Sequence, residues 1–486
     1  MPSTDPDQAE PGPAGASPSL IVALVAIIAV ATALRIGAAQ GDLWVDEIWS
    51  LDQLAVARAA DSAEVWLALL FHDNTHALNT LYLAAIDALW TEPPPALAYR
   101  GLALVSGSAA VVVAAALGWH KSPLGALVAA LMVGLSYPMV HYAGEARGYG
   151  PMLLAALLAC WLMSHHLQRP GAWTGVAFVA VSLLGLAAHL TFAVAEAGLA
   201  AWAAWAFHRQ RPGTAATMAR LVPLFGLQLI AVTAYATVAV NALVIGGDNF
   251  EPAAASIAII TLYTFGLAPT WLGPYLTLFM FGFLAAAAVI WLAWRDVASW
   301  PVFAVIVLAC PVAALLVEDR PYVLPRYFLV CLPFALMLAA EALTELMERG
   351  GLARRLAAAA LIAFAAGNAG LLTNFLHHGR GDYAAAVALI AEAGPDHARV
   401  AGFPPFSVGT MFRHHARRHP AAKRLSFVDD TAARQRPADW FIAARGAGRA
   451  PAAELIRQGG GAYGLVRSFA HWGLAGDTWD VYRRRR

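Results

Sequence analysis

An acidic pair, Asp46-Glu47, follows the first long apolar run of the chain, which covers about residues 20–39. Carboxylates are common general bases and metal ligands. A run of about 20 apolar residues is long enough to span a bilayer, and the flanking Trp44 and Trp49 are typical of the membrane interface. The pair is therefore predicted to lie at a membrane surface, where partial shielding from water suits acid–base or metal chemistry. The structural alternative is an ordinary solvated loop.

Other polar side chains fall in loops that the alternation of apolar runs sends to the same membrane face: His72, His76, Glu145, Arg147, Arg326 and Tyr327. Arginine binds phosphate through its planar fork, and a carboxylate accepts a proton from an attacking hydroxyl. The set therefore suits a substrate that carries both phosphate and hydroxyl groups. Structural alternatives stay open: Glu145 and Arg147 can pair or cap the next helix, and Arg326-Tyr327 can anchor a helix at the interface. His72 and His76 have the i,i+4 spacing of helical metal ligands, whereas Asn74-Thr75 between them favours a loop.

The composition is that of a polytopic α-helical membrane protein. Hydrophobic residues make up 60% and charged residues 13% of the 486 residues, and the mean hydropathy is +0.60. Apolar runs of about 20 residues predict about 11 transmembrane helices, at 20–39, 97–119, 124–142, 149–167, 173–190, 192–207, 221–244, 275–294, 302–317, 327–346 and 356–372. The run 253–268 is predicted to be an interfacial or re-entrant helix. No cleavage pattern follows the first run, which is predicted to be retained.

Charges are segregated between two sets of loops. Lys and Arg concentrate in one set, which includes Lys121, Arg169, Arg209, Arg295 and Arg349, whereas the other set holds mainly Asp and Glu. The positive-inside rule places the basic set in the cytoplasm and the acidic pair outside. We therefore expect a multi-pass protein of a bacterial cytoplasmic (inner) membrane, with the site and the C-terminal region facing the periplasm or exterior.

Three regions follow from these patterns. Residues 1–19 are predicted to be a disordered cytoplasmic N-terminus, residues 20–373 a transmembrane domain with a first outer loop at 40–95, and residues 374–486 a small extracytoplasmic α/β domain. In the first loop, 48–59 and 63–71 have the pattern of amphipathic interfacial helices. In the last region, 383–393 is predicted as a helix and 399–403, 440–443 and 480–482 as strands. The basic stretch 414–424 is predicted to be a solvated surface.

The order of several short motifs resembles the GT-C membrane glycosyltransferases, in particular their protein-mannosyltransferase and aminoarabinose-transferase branch (glycosyltransferase families 39 and 83). The motifs are Trp-Val-Asp-Glu at 44–47, His-Ala-Leu-Asn at 76–79, Glu-Ala-Arg-Gly-Tyr at 145–149 and Arg-Tyr at 326–327 before Leu-Pro at 332–333. Each motif is short, so their order and topological placement carry the resemblance, which covers most of residues 20–346. It implies a GT-C fold with a C-terminal domain of the kind appended to that class.

The resemblance also implies a transferase that uses a polyprenyl-phosphate-linked sugar as donor, in some members with a divalent metal ion near the site. It implies these roles for residues of this chain: Asp46 as general base with Glu47 beside it, Arg147 and Glu145 at the donor phosphate or acceptor, Arg326 with Tyr327 at the lipid phosphate, and His76 and Asn79 in substrate binding. Asp46 and His76 are the candidate metal ligands. The family usually has His-Pro-Pro-Leu where this chain has His76-Ala77-Leu78-Asn79. The turn is therefore looser, and Asn79 adds an amide able to contact a sugar.

Two other functions compete with this hypothesis. A transporter or flippase of lipid-linked sugars also needs an outward cavity with arginines, and charges inside spans, such as Arg35, would favour it. A scaffolding protein would leave the shared location of Asp46, Glu145, Arg147 and Arg326 unexplained. The expected partners are the bilayer, a polyprenyl-phosphate-linked sugar, and a lipid, glycan or protein acceptor, with no nucleic acid. A single in-line displacement would invert the anomeric carbon.

Overall fold

The computed structural model describes residues 17–60, 62–70, 72, 76–239, 252–269, 272–317, 323–394, 396–446, 450–457 and 461–485. The predicted N-terminal tail therefore lies almost wholly outside the described residues. The helices of the described chain are α1 (Pro18–Ala38), α2 (Val45–Ala60), α3 (Ala63–Leu70), α4 (Ala77–Leu89), α5 (Ala96–Trp119), α6 (Pro123–Leu135), α7 (Tyr137–Ala143), α8 (Tyr149–Gln168), α9 (Ala172–Ala188), α10 (Phe192–Gln210), α11 (Thr214–Ala239), α12 (Ala253–Thr264), α13 (Pro274–Trp294), α14 (Trp300–Phe303), α15 (Cys310–Leu316), α16 (Leu332–Arg349), α17 (Gly351–His378), α18 (Tyr383–Ala393), α19 (Pro405–Arg417) and α20 (Asp430–Gln435). A π-helical stretch, Ala304–Ala309, joins α14 to α15, and 3-10 turns occupy Pro325–Cys331 and Ala422–Arg424.

The predicted polytopic helical architecture is confirmed. Within the described residues, seven helices are long and apolar enough to cross a membrane, and the bent pair α6–α7 makes an eighth: the seven are α1, α5, α8, α11, α13, α16 with the turn before it, and α17. The remaining predicted spans coincide with α9, α10 and the α14–α15 stretch, of which α9 and α14–α15 are apolar but shorter. Helix α12 would extend only about 18 Å, which agrees with the prediction that 253–268 does not cross.

One predicted span is broken. The sequence predicts a single helix over 124–142, but α6 and α7 meet at an angle of 60°, because Pro138 at the start of α7 cannot continue the hydrogen-bond ladder of α6. The guanidinium of Arg35 donates to the carbonyl oxygens of Val133 (3.1 Å) and Gly134 (2.9 Å) at the end of α6. Asn368 Oδ1 accepts the backbone N–H of Tyr137 at 2.7 Å. The intramembrane Arg35 thus satisfies backbone groups that the break exposes.

The first loop folds into helices that lie between α1 and α5. Helices α2 and α3 confirm the amphipathic helices predicted at 48–59 and 63–71, and a third helix, α4, follows. Ion pairs from this loop to the first turn of α5 and to the segments before α8 and α16 bring those helix starts together. We call this end of the helices the site face and the other end the opposite face.

The C-terminal region is the predicted small α/β domain. Its strands are β1 (Ala398–Phe403), β2 (Leu425–Phe427), β3 (Trp440–Arg445), β4 (Glu454–Arg457), β5 (Gly461–Phe469) and β6 (Thr478–Arg484). They form a six-stranded sheet in the order β2-β1-β3-β6-β5-β4, in which β1 pairs in parallel with β2 and β3 and the other pairs are antiparallel. Helix α17 continues to His378 and α18 begins at Tyr383, so the domain boundary at 373/374 stays a prediction.

This domain shares a hydrophobic core with the first loop. Leu43, Ile48 and Leu54 lie in one buried cluster with Val408 and Trp479 of the C-terminal domain. His415 Nε2 lies 3.2 Å from the carbonyl oxygen of Leu43, and the residue is only 8% exposed. The prediction that 414–424 is a solvated surface is therefore wrong at His415, because α19 packs one face against α2. The domain consequently helps to hold the loop that carries the acidic pair.

Candidate active site

The acidic pair lies in the first turn of α2, where the helix dipole favours negative charge. Trp44 precedes the helix, and its carbonyl oxygen accepts the N–H of Ile48 at 3.0 Å. Glu47 reaches back to the N–H of Trp44 with Oε2 at 3.2 Å, which is the carboxylate half of a capping box. Asp46, the residue before it, has its side chain directed to a different set of partners.

Glu47 forms a buried ion pair with Arg100. Glu47 Oε1 accepts from Arg100 Nε (2.8 Å) and from the N–H of Ala146 (2.7 Å), and Oε2 accepts from Arg100 Nη2 at 2.6 Å. Both side chains have no exposed surface. Burial opposes the charged form of Glu47, but the Arg100 charge and hydrogen bonds outweigh it and hold the pKa of Glu47 below its ordinary value. Glu47 therefore links α2, α5 and the segment before α8, and its oxygens face no open space.

Asp46 instead lies between two arginines. Its Oδ2 accepts from Arg326 Nη1 at 2.8 Å and lies 4.0 Å from Arg147 Nη2. The Asp46 side chain is 12% exposed and that of Arg326 is 23% exposed, so this pair is shielded but reachable. The guanidinium of Arg326 also lies over the Trp44 ring, 5.8 Å from its centroid. The predicted grouping of Asp46, Arg147 and Arg326 is thus present in the structure.

His76 supports the loop that carries Arg147. The N–H of Gly148 donates to His76 Nδ1 at 2.7 Å, so the proton of a neutral imidazole must be on Nε2. Burial, reinforced by the charge of Arg147, holds the pKa of His76 well below its ordinary value. Its ring packs edge-on against His189 with centroids 4.6 Å apart, and burial with the Arg147 charge lowers the pKa of His189 to about 3. Two neutral imidazoles therefore lie beside Arg147.

Glu145 belongs to a second buried network. Its Oε1 lies 3.4 Å from Nε of Arg380 and 3.2 Å from Nε2 of His141. Arg380 also donates to the carbonyl oxygens of Ala38 (2.8 Å) and His141 (2.7 Å). Glu145 has no exposed surface. This places it among groups that join α1, α7 and the start of the C-terminal domain.

The remaining predicted residues surround these two networks. Asn79 Nδ2 donates to the carbonyl oxygen of Ala146 at 2.8 Å, while its Oδ1 is buried with no partner in the described chain. Tyr327, next to Arg326, is partly buried. His72 contacts Gln53 and Trp49. The ring of His76 instead packs against Tyr149 and His189. Residues 318–322, whose Glu318 and Asp319 belong to the acidic set of loops, lie outside the described residues.

A loop of the C-terminal domain, residues 470–477 between β5 and β6, reaches the same region. Trp472 donates its N–H to the carbonyl oxygen of Gly379 at 2.9 Å, and its ring packs edge-on against Tyr137 with centroids 5.2 Å apart. Gly476 has φ +103°, and a Cβ there would overlap the backbone of Arg380. Only glycine therefore fits at this point of the loop.

The loop brings a further carboxylate to the site, at Asp477. Its backbone N–H donates to the Tyr383 hydroxyl at 2.9 Å, whereas its carboxylate makes no hydrogen bond or ion pair with the described residues. Burial, together with the negative charge of Asp46, raises the pKa of Asp477 to about 6. Sequence reasoning missed this residue, as it missed Arg100, Arg380 and His189. The signal for the two arginines was their occurrence beside apolar runs, where unpaired charge is costly.

The geometry does not fit a cation held by Asp46 and His76. His76 Nδ1 is occupied by the Gly148 N–H, and Nε2 lies 3.5 Å from the guanidinium of Arg147, so an ion there would meet a fixed positive charge. No three His, Cys, Asp or Glu side chains converge as metal ligands within the described residues. The chemistry that the site can do with its own groups is proton acceptance at Asp46 and anion binding at Arg147 and Arg326.

Comparisons with known proteins find likeness among solved structures. No protein-family model matches the chain, and no curated protein matches it. Among solved structures, the chain is similar to ArnT from Cupriavidus metallidurans, crystallised with bound undecaprenyl phosphate, with a TM-score of 0.41 and 12% sequence identity. The similarity covers 88% of this chain and 94% of that chain.

Proposed function

We propose that this protein is an integral-membrane glycosyltransferase of the GT-C superfamily. It would move a hexosyl or pentosyl group from a polyprenyl-phosphate-linked donor to an acceptor hydroxyl. The observation that carries the proposal is the Asp46 carboxylate between Arg326 (2.8 Å) and Arg147 (4.0 Å) at the site face. A proton acceptor beside two anion-binding side chains is what a displacement with a phosphate leaving group requires.

In the proposed step, the acceptor oxygen attacks the anomeric carbon and the bond from that carbon to the phosphate oxygen breaks. The proton of the acceptor hydroxyl goes to Asp46, and the polyprenyl phosphate leaves with the bonding electron pair. A single in-line displacement inverts the anomeric carbon. Arg147 and Arg326 offset the charge that grows on the phosphate.

The ion pair between Asp46 and Arg326 requires that the donor phosphate binds before Asp46 accepts the proton. While Arg326 holds Asp46 Oδ2, that oxygen is engaged. A donor phosphate competes for Arg326 and thereby releases the oxygen for the acceptor proton. The neutral His76, whose Nε2 lies 3.5 Å from Arg147 Nη2, provides an N–H donor on the same side of the site for the donor phosphate or sugar.

Glu47 and Glu145 take positioning roles in this proposal, because their carboxylates are buried in the Arg100 and Arg380 networks. Tyr327 and the amide of Asn79 stay candidates for sugar or phosphate contact. A lipid, glycan or protein hydroxyl serves as acceptor. Charges inside spans, such as Arg35, would favour the rival transporter function, but the hydrogen bonds of Arg35 to backbone carbonyls give this residue a structural role.

The test is sugar transfer by the full-length protein in membranes, with radiolabelled polyprenyl-phosphate hexoses and pentoses and detection of released polyprenyl phosphate. We expect Asp46→Asn to lower turnover by about 100-fold or more. Asp52→Asn is the matched control, because Asp52 lies on the same helix with a side chain 48% exposed and its Arg417 contact at 4.0 Å. Wild-type turnover by D46N would contradict the proposal, and so would transbilayer movement of the donor without release of phosphate.

The proposed location is a bacterial cytoplasmic membrane, with the site face directed to the periplasm or exterior. The segregation of Lys and Arg to the loops of the opposite face supports this orientation. A cysteine at Ile456, which is 85% exposed in the C-terminal domain, should react with a membrane-impermeant maleimide in intact spheroplasts. Reaction only after lysis would reverse the assignment.

A further inference from the structure

A cavity opens at the opposite face, far along the helices from Asp46. Its volume is about 480 Å³, within the range of roughly 300–1,000 Å³ that small-molecule sites occupy. It lies where α5, α13 and α16 approach their C-terminal ends, so that Lys121, Arg295 and Glu345 line its mouth. Because α5 and α16 begin beside the acidic pair, this cavity and the Asp46 site lie at opposite membrane faces.

The interior of the cavity is apolar. Leu157, Phe334 and Met337 are among the side chains that line it. Trp202 also lines it; this residue is 6% exposed, and its indole Nε1 is buried with no hydrogen-bond partner in the described chain. Its indole ring thus adds to the apolar wall, while Nε1 does not open onto the cavity.

The mouth carries charges of both signs in an asymmetric arrangement. Lys121 and Arg295 both pair with Glu345, at 3.3 and 2.5 Å. Both cations also lie over the ring of Trp291, at 5.8 and 5.4 Å from its centroid. The carboxylate of Glu341 lines the same mouth but forms no hydrogen bond or ion pair with the described residues.

We propose that this cavity binds a zwitterionic glycerophospholipid with a primary ammonium headgroup, taken from the leaflet at the opposite face. The ammonium would donate to the carboxylate of Glu341, and the phosphate would lie against Lys121 and Arg295. One acyl chain would enter the apolar interior beside Leu157, Phe334 and Met337. This site does not depend on the proposed glycosyl transfer.

The charge arrangement selects among membrane lipids. A trimethylammonium headgroup has no N–H to donate to Glu341. A glycerol headgroup carries no positive charge, so its phosphate would give a net negative charge to a mouth where Glu341 and Glu345 already balance Lys121 and Arg295. A primary ammonium supplies both the positive charge and the hydrogen bonds.

The test is native mass spectrometry of the full-length protein in detergent, titrated separately with synthetic phosphatidylethanolamine, phosphatidylcholine and phosphatidylglycerol. We expect wild type to bind one phosphatidylethanolamine more tightly than the other two lipids. Glu341→Gln should weaken that binding by about tenfold, the equivalent of one charge-assisted hydrogen bond. Glu348→Gln on the same helix is the matched control, because Glu348 does not line the cavity and bonds Ser122 instead.

A second variant guards against an indirect effect of charge. Ser164→Phe narrows the cavity, which Ser164 lines, and should weaken binding of all three lipids without changing the charges at the mouth. Equal affinity of wild type for the three lipids would overturn the proposal. So would unchanged phosphatidylethanolamine binding in both E341Q and S164F, and tighter binding of phosphatidylglycerol would assign the cavity to an anionic lipid instead.

Discussion

Replacing each member of the acidic pair by its amide should produce opposite phenotypes, although the two residues are adjacent. Glu47 accepts four hydrogen bonds, two at each carboxylate oxygen. In Glu47→Gln, either orientation of the amide places an NH₂ group where an oxygen accepted two of them. Arg100 then faces a donor and loses its counter-charge inside the protein.

The size of the effect follows from burial. Breaking a fully buried ion pair by removing one partner costs about 3–5 kcal/mol, and both side chains here have no exposed surface. Asp46→Asn keeps an oxygen that can still accept from Arg326, and that pair is partly exposed, so its cost should be roughly 1 kcal/mol or less. We therefore expect E47Q to lower Tm at least three times as much as D46N, whereas D46N loses transfer activity in full.

The pH dependence gives an independent check. Because the folded-state pKa of Glu47 lies below its unfolded value, its ion pair contributes stability above about pH 4.5 and loses it as the pH falls through the lower folded value. The Tm of wild type should therefore fall more steeply than that of E47Q between about pH 5 and pH 3.

The assay is thermal unfolding of the full-length protein in nanodiscs, with transfer activity measured on the same preparations. A double-mutant cycle with Arg100→Met should show coupling, because the double variant leaves no charge of this pair unpaired. Equal Tm changes for E47Q and D46N, or strictly additive effects of E47Q and R100M, would refute the reasoning.

Three further predictions concern the surroundings of Asp46. Arg326→Gln should raise KM for the donor with little change in Tm, measured by initial rates at several donor concentrations; an unchanged KM would remove Arg326 from donor binding. Gly148→Ala should destabilise the protein by about 1–3 kcal/mol, because its Cβ would overlap the carbonyl oxygen of Ala188. Thermal unfolding should show no comparable loss for Gly446→Ala, where a Cβ meets nothing within 4 Å. Asp477 has a folded-state pKa raised to about 6, so its stability contribution is lost as the pH rises through that value, and the Tm of Asp477→Asn relative to wild type should increase between about pH 4 and pH 7.

Hydropathy and periodicity predicted the helices well because membrane helices and amphipathic helices have strong local patterns. Helix α18 was predicted with both ends correct, and α5 and α8 differ by one residue at one end. The break between α6 and α7 was not predictable in the same way, since hydropathy continues unchanged through it. What stabilises the break comes from α1 and α17, through Arg35 and Asn368.

The candidate site shows the same difference between features with a local sequence pattern and contacts between distant parts of the chain. Three of its members, Asp46, Arg147 and Arg326, were found because each lies beside a predicted span and the topology sends all three to one face. The buried partners were not found, because Arg100 and Glu47 are 53 positions apart and Arg380 and Glu145 are 235 apart. A residue type alone does not identify a partner at that distance. The sequence therefore revealed the groups proposed to act on the substrate better than the groups that position them.

The adjacency of Asp46 and Glu47 also explains how one short motif supplies both a structural ion pair and the proposed general base. Consecutive residues on an α-helix project about 100° apart, so in the first turn of α2 one carboxylate is directed inward to Arg100 and the other toward Arg326. The inward one, Glu47, ties α2 to Arg100 of α5 and to the N–H of Ala146, one residue before Arg147. The buried carboxylate thus fixes the position of Arg147 relative to Asp46, the outward one. A change at Glu47 should consequently alter the geometry of the Asp46 site even where the protein remains folded, and this is why the two residues are better regarded as one structural unit than as two alternative bases.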